Sequence, residues 1–556
     1  MSQPSLDGGS YEIIRRRLEA QGAELKQKLA RLNALRHEVF GGVGTELLTT
    51  DRVVTENNCI PRDMLSLGQG LFLFGYNVHM GLRSKIEVAD VFSIYRYDSK
   101  ERTFEAAKHS FLEQPEFLED FAYLYGYYKK TSFVKFLLIG PHLYMAFRVS
   151  EDVADVKVFK WLISGEGQLS YRGNRSEHEY QLPESHSFSW NRAHRDMQRS
   201  GSNPHVSIED KVFVETIGGD LTIKIEDNTD DGVGIFSEPV DNADQTLDDA
   251  DIHYAIAGDL VLIKIRPYQE QITRGFIYNH KVKEVYRIDS IESSCVLLPE
   301  DHGVIFADGY YLDSGTFKKF ELNLSKMLLE RVVASANGED HLYVFYNRLD
   351  GIYSLLPYNV ITQSVENPIQ CHGFSLFNSG ELIYFKSQGQ PSRHHSLQVW
   401  QTPFVQDADV LHSGSDHFLA KVGNPEVVRA LSSCQEVLTL ISKGESYERL
   451  YADIVRQTRD AIDSYFWIDS EDVGDLKATL QEINGTAVAA IDEFEKVVRI
   501  RKATEKNTRE VFESVRKQLS EIASGRPSDV ESYVERLASL RRLRGEVTAL
   551  RRGIPY

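Results

Sequence analysis

The residues best placed for chemistry are carboxylates. Glu226-Asp227-Asn228-Thr229-Asp230-Asp231-Gly232 is the densest acidic stretch, and Glu238, Asp241, Asp244, Asp248, Asp249 and Asp251 follow it. Carboxylates gathered ahead of a glycine, Asp227, Asp230 and Asp231 here, offer the hard oxygens that calcium prefers. A calcium loop also needs a bidentate glutamate at a set distance, and that residue is missing. The stretch therefore reads as a weak metal candidate or a solvated loop, and no bound metal is expected.

A second group is basic. His178, His186, His194 and His205 lie near Trp190, Arg192, Arg195 and Arg199. Guanidinium forks in such a cluster can assemble an anion site, although the histidine spacing carries no metal signature. Partner contacts are expected from Arg192, His194, Arg195 and Arg199 and from Asp241, Asp244, Asp248 and Asp249. The basic segment meets either another protein or the chain's own acidic loop. Cys371-His372 and His394-His395 are pairs without a third ligand, so a core cysteine and surface histidines are the default. Arginines also gather near the ends, at 15–17, 499–501, 541–544 and 551–552, interleaved with glutamates as on a solvated coiled-coil flank.

Several reaction types lack their residues. No Gly-Lys dipeptide occurs, so the phosphate-cradling loop G-x-x-x-x-G-K-[ST] is absent. G-x-G-x-x-G, H-E-x-x-H and G-x-S-x-G are absent too, and neither a catalytic residue nor a cofactor site is expected in this chain.

The elements that position these residues change along the chain. Tyr11, Leu18, Leu25, Leu32 and Val39 recur every seventh position, the stripe of a coiled-coil helix that needs a partner helix, with Gln21 and Lys28 as polar seam positions. Gly41, Gly42 and Gly44 end it. From about Thr49 to Phe404 the period becomes alternating, in short runs rich in Val, Ile, Phe and Tyr. Strands are predicted at 70–76, 91–97, 142–148, 156–163, 211–216, 220–225, 259–265, 276–279, 303–306, 341–346 and 381–385, with insertions at 103–130 and 174–204.

A Gly-Asp or Gly-Glu turn that opens a strand recurs at Gly219, Gly258, Gly338 and Gly380, compatible with a unit of about 40 residues, the length of a four-stranded propeller blade. The fold class expected is mainly β with α-helical ends: a β-propeller-like domain of six or seven blades between coiled-coil helices, with paired β-sandwiches as the alternative. Beyond Pro425 the pattern is helical. Stripes run from Val427 to Ile441, from Leu476 to Val498 and, after a capping box at Ser528–Glu531, from Tyr533 to Leu550. Domains are placed at 1–44, 45–422 and 423–556, and the last helix, lacking a polar tail, points to a polypeptide that continues.

Composition bounds the rest. With 42% hydrophobic and 26% charged residues the chain of 556 residues can bury a large core. A net charge of −19 works against broad nucleic-acid binding. Four scattered cysteines suggest no disulfide framework, and neither a signal peptide nor a transmembrane stretch is read, which fits a cytoplasmic protein.

Five segments carry a resemblance: 205–228 (HVSIEDKVFVETIGGDLTIKIEDN), 237–249 (SEPVDNADQTLDD), 264–270 (KIRPYQE), 337–347 (NGEDHLYVFYN) and 367–373 (NPIQCHG). They resemble the N-terminal region of large bacterial AAA-type proteins called DNA repair ATPases, which carry a domain of unknown function. The resemblance implies an ATPase module, with its ATP and Mg²⁺, C-terminal to this chain, and a non-catalytic scaffold here that binds protein partners and self-associates through coiled coils. It also implies an association with flotillin-like or phage-shock-type membrane proteins and membrane stress. The alternatives are a DNA-associated module and a propeller enzyme with a central-channel site.

Overall fold

The computed structural model describes residues 7–79, 85–181, 183–322, 326–386, 389–406, 416–443, 447, 449–524 and 530–553. By packing the chain forms two compact units, one of residues 1–32 with 433–556 and one of residues 33–432.

In the first unit the heptad stripe finds its partner within the same chain. Tyr11, Leu18, Leu25, Leu29 and Leu32 on the helix Asp7–Phe40 are buried. The Tyr11 ring stacks on Phe494 at 5.8 Å, and its hydroxyl meets that of Tyr451 at 2.7 Å. Gly22 admits close approach, since a Cβ there would lie 3.3 Å from Ile441. The polar seam is also used: the Lys28 ammonium donates to Thr479 Oγ1 at 2.7 Å. The partner helix that the stripe needs is supplied by the same chain, through the helices Asn424–Ser442, Leu450–Ser464 and Leu476–Ser524. The capping box at 528–531, Gly444, the turn at 525–527 and the side chains of Val497, Val498, Arg501, Lys502, Tyr533, Leu550, Arg551 and Arg552 lie outside the described residues.

The second unit is mainly β, and among the described residues its strands form six antiparallel sheets of four to seven strands. Every predicted strand is present, and His142–Arg148, Val156–Ile163, Gly303–Phe306 and Glu381–Phe385 have the expected ends. The helix Pro115–Tyr127 occupies the first insertion, packing Phe117, Phe121 and Leu124 inward. Short 3₁₀ turns occupy the second.

The repeated glycine turn has a backbone cause. Gly219, Gly258, Gly338 and Gly380 all hold φ between 61° and 94°, where a Cβ is strained. Each turn also accepts a return bond: Val240 to Gly219, His280 to Asp259, Val360 to Glu339 and Thr402 to Gly380, at 2.8–2.9 Å. A turn with a positive-φ glycine thus recurs in four sheets.

Apolar clusters join successive sheets face to face. Val214 and Ile223 pack with Val261 and Ile263, Leu262 and Ile277 with Val304 and Phe306, and Ile305 and Tyr310 with Tyr343 and Phe345. Val344 and Leu355 then pack with Val134, Ala146 and Leu382. The seven-stranded sheet draws on both ends of the β region. Its long strand Glu46–Gly68 pairs with Ser392–Gln401 on one side and Leu71–Val78 on the other.

Candidate functional site

The acidic stretch is built around a lysine. Lys224 is 2% exposed, and its ammonium donates to the carbonyls of Asp231 at 2.7 Å and Asn228 at 3.3 Å while pairing with Glu215 at 2.5 Å. Two N–H donors meet carbonyl oxygens and the ammonium faces a carboxylate, so the lysine head already fills the loop. The Asp231 carboxylate accepts from Asn228 and from the Val233 N–H, both at 3.1 Å. Asp227 accepts from His205 at 2.8 Å and lies 3.6 Å from Arg199. Asp230 joins the turn through its backbone, its N–H donating to Asn228 Oδ1. Among the described residues no group of three or more His, Cys, Asp and Glu side chains is arranged to hold a metal ion.

The basic segment and the second acidic loop meet each other. Arg195 makes a two-pronged contact with Asp248, at 3.1 and 2.5 Å, and Gln198 adds a bond at 2.9 Å. Arg192 lies 3.1 Å from Asp251, and Arg199 donates to Asp210 at 3.1 Å. These neighbours hold the Asp248 carboxyl below the ordinary range, first through Arg195. Asp249 is lowered by the Thr246 N–H and hydroxyl, both at 2.7 Å. His194 caps the short turn Arg195–Met197, and Asp241 and Asp244 are exposed at the loop's start. A cleft of about 240 Å³ remains, lined by Arg192, His194, Arg195, Leu247, Asp248 and Ile252. The basic segment thus contacts the chain's own acidic loop. Below it, Arg274 bonds Glu270 at 2.6 Å and Glu238 at 2.8 Å, tying 237–249 to 264–270.

Two histidines differ from expectation. His205 is fully buried against Phe213, with ring centroids 5.0 Å apart. His395, expected at the surface, is 3% exposed, facing Thr55 at 3.2 Å and Tyr76 at 5.1 Å. Strand alternation sends His394 outward and His395 inward. Burial lowers the His395 imidazole to about 4.

A buried ionic network had no sequence signal. Lys135 reads there as an interruption of an apolar run, yet it is 1% exposed. A bulge between Phe133 and Lys135 re-aims the chain locally. The ammonium bonds Glu330 at 3.2 Å and lies 4.6 Å from the Tyr346 ring centre and 5.2 Å from that of Tyr353. Asp63 accepts from the N–H groups of Phe136 and Met64 and from the Tyr353 hydroxyl, at 2.7, 2.9 and 3.1 Å. Burial pushes its carboxyl up to about 7 against the pull of Lys135 and those donors.

A second cleft, of about 180 Å³, was also invisible from sequence. Register places Leu382, Tyr384, Gln398 and Trp400 together on one face of the hairpin Glu381–Phe385 and Ser392–Gln401. Gln398 Oε1 accepts from the Tyr384 hydroxyl at 2.6 Å and Trp400 Nε1 at 3.1 Å, fixing both rings. Phe404, Pro357 and Ile369 continue the apolar wall, and Asp340, Asn359 and Glu366 supply its polar end. The segment 364–371 pairs twice with Ile352–Asn359, and Glu366 and Asn367 lie between the two pairings. No local motif announces this site, because its walls come from residues more than 60 positions apart.

Comparison with known proteins gives one strong match. A family model described as an ATPase involved in DNA repair covers residues 24–466. No curated protein matches the chain. Among solved structures, a chain of the mitotic checkpoint complex shares 8% identity, with TM-score 0.24, over 64% of this chain and 93% of its own. The AfRom2 CNH domain shares 7%, with TM-score 0.20, over 64% and 98%. Prolyl oligopeptidase B from Galerina marginata shares 9%, with TM-score 0.16, over 70% and 56%. Likenesses this distant bear on neither fold nor function.

Proposed function

The chain belongs to the family described as an ATPase involved in DNA repair, and from that premise we propose that it is the partner-binding, non-catalytic part of such a machine. The β-rich unit acts as a platform, and the C-terminal helices join it to a second copy or to the ATPase module, where ATP and Mg²⁺ act. One observation carries this reading. On the helices Leu476–Ser524 and Val530–Gly553, Phe512, Leu519, Val534, Leu537, Leu540 and Val547 are exposed. Large apolar side chains left in water at helical spacing favour association with another apolar helix surface. The missing Gly-Lys dipeptide supports the non-catalytic half of the reading.

We further infer that the six sheets are propeller blades. Their antiparallel order, recurring glycine turn and face-to-face packing support this, as does the sheet shared by the first and last strands.

The test combines sedimentation equilibrium with ATP turnover on the purified chain and on Leu537→Glu/Leu540→Glu. Self-association that the double variant abolishes, with no turnover above background, is expected. Self-association unchanged in the double variant, or hydrolysis of ATP, overturns the reading. Exposed Arg499, Arg541, Arg542 and Arg544 favour one alternative, contact with DNA through the same helices. A salt-dependent shift of duplex DNA by a monomeric chain would put that alternative first.

A further inference from the structure

The cleft between Asp340 and Trp400 combines features that match one kind of ligand. Its wall is apolar and aromatic: Leu382, Phe404 and Pro357 beside Tyr384 and Trp400, whose orientations Gln398 fixes. Its far end is acidic. Asp340 Oδ1 accepts from Asn359 at 3.0 Å, leaving one carboxylate oxygen, and Glu366 stands exposed at the rim. Arg36, the cation that acts on Asp340, pairs with Glu339 at 2.6 Å. An apolar cleft ending in two carboxyl groups suits an aliphatic stem bearing a cation. A guanidinium needs two parallel acceptors to use its fork, whereas a compact ammonium is served by single oxygens.

We propose that this cleft receives a lysine side chain presented by a polypeptide partner, its stem along Leu382, Phe404 and Trp400 and its ammonium between Asp340 and Glu366. The site lies in the β-rich unit and draws on none of the exposed apolar helix residues. It deepens the partner-binding reading by naming the partner's chemistry, and rests on that reading only for the polypeptide source. Asp340 and Asn367 fall in two of the segments that carry the family resemblance, 337–347 and 367–373.

Affinity follows the ionisation of Asp340. Burial, then Glu339 and Glu366, push its carboxyl up to about 7, opposed by Asn359 and Arg36. His341, the next residue on the strand, points to the opposite face. Ionisation of a group near 7 changes about tenfold between pH 6 and pH 8, and the apparent affinity follows that fraction.

The experiment titrates the full chain with acetyl-Gly-Gly-Lys-Gly-Gly-amide, its Nε-acetyl-lysine counterpart and tetramethylammonium, reading tryptophan emission with Trp400→Phe as the control. A saturable change is expected for the lysine peptide alone, absent in Trp400→Phe and about tenfold weaker at pH 6 than at pH 8. Glu366→Gln, at the exposed rim, should weaken binding severalfold with an unchanged circular dichroism spectrum, and Asp340→Asn should weaken it further. Equal responses to the lysine and acetyl-lysine peptides, or a response that survives Trp400→Phe, overturn the assignment. Tetramethylammonium binding as tightly as the peptide overturns the polypeptide source. A chain that self-associates yet gives no lysine response loses this site alone, so the two proposals fail separately.

Discussion

Two ion pairs of the β-rich unit differ chiefly in solvent. Arg195 and Asp248 meet with good two-pronged geometry, yet they stand at the surface, 80% and 42% exposed. Lys135 and Glu330 meet through a single bond at 3.2 Å, yet they are 1% and 10% exposed. Water screens the first pair, and its loss would leave only solvated charges. Removing Lys135 would leave Glu330 with the half-exposed Arg331 at 3.0 Å as its cation and Asp63 with none of the pull of Lys135, in a core where solvent does not replace the lost partner. Density of charge in a sequence is therefore a poor guide to where ionic interactions matter.

The largest expected effect separates the two pairs. Lys135→Met takes from Glu330 and Asp63 their shared cation, leaving Glu330 only Arg331, and should cost about 3 kcal/mol in urea unfolding. A change within experimental error would erase the distinction. His205→Ala tests an intermediate case, a fully buried imidazole bonded to the half-exposed Asp227. A loss of about 2 kcal/mol is expected by the same measurement, from the lost bond and the space left beside Phe213.

The pH dependence sharpens the comparison. Asp63 keeps its proton in the folded state up to about pH 7, whereas the unfolded carboxyl releases it near 3.8. Between those values the unfolded chain binds fewer protons, so this group's contribution is complete below pH 4 and is lost as pH rises towards 7. Asp63→Asn should therefore flatten the fall in stability across pH 4–7. An unchanged slope would place the titration elsewhere. The smallest effect belongs to the surface: Arg195→Ala should leave the unfolding midpoint unchanged, at low salt and high. A clear loss would show that the Asp241–Asp251 loop depends on this contact.

Much of the fold was legible because its signals are local. Alternation marks strands such as His142–Arg148, and the heptad marks the first helix, since burial on one face imposes a period on the sequence. Gly219, Gly258, Gly338 and Gly380 were visible as a repeat because positive φ leaves few residue types to choose from. The candidate sites were less legible. Composition singled out Asp227–Asp231 but gave no hint that Lys224 fills the loop, since that depends on which way a strand side chain turns.

By itself the sequence determined the mainly β character, the helical ends and the absence of a phosphate-binding loop. Only the tertiary structure decided that Tyr11 finds Tyr451 and Phe494, that Lys135 is enclosed and that Asp340 shares a cleft with Trp400. The reason is the range of the forces involved: period and backbone strain act between neighbours, whereas desolvation depends on every element that closes over a charge.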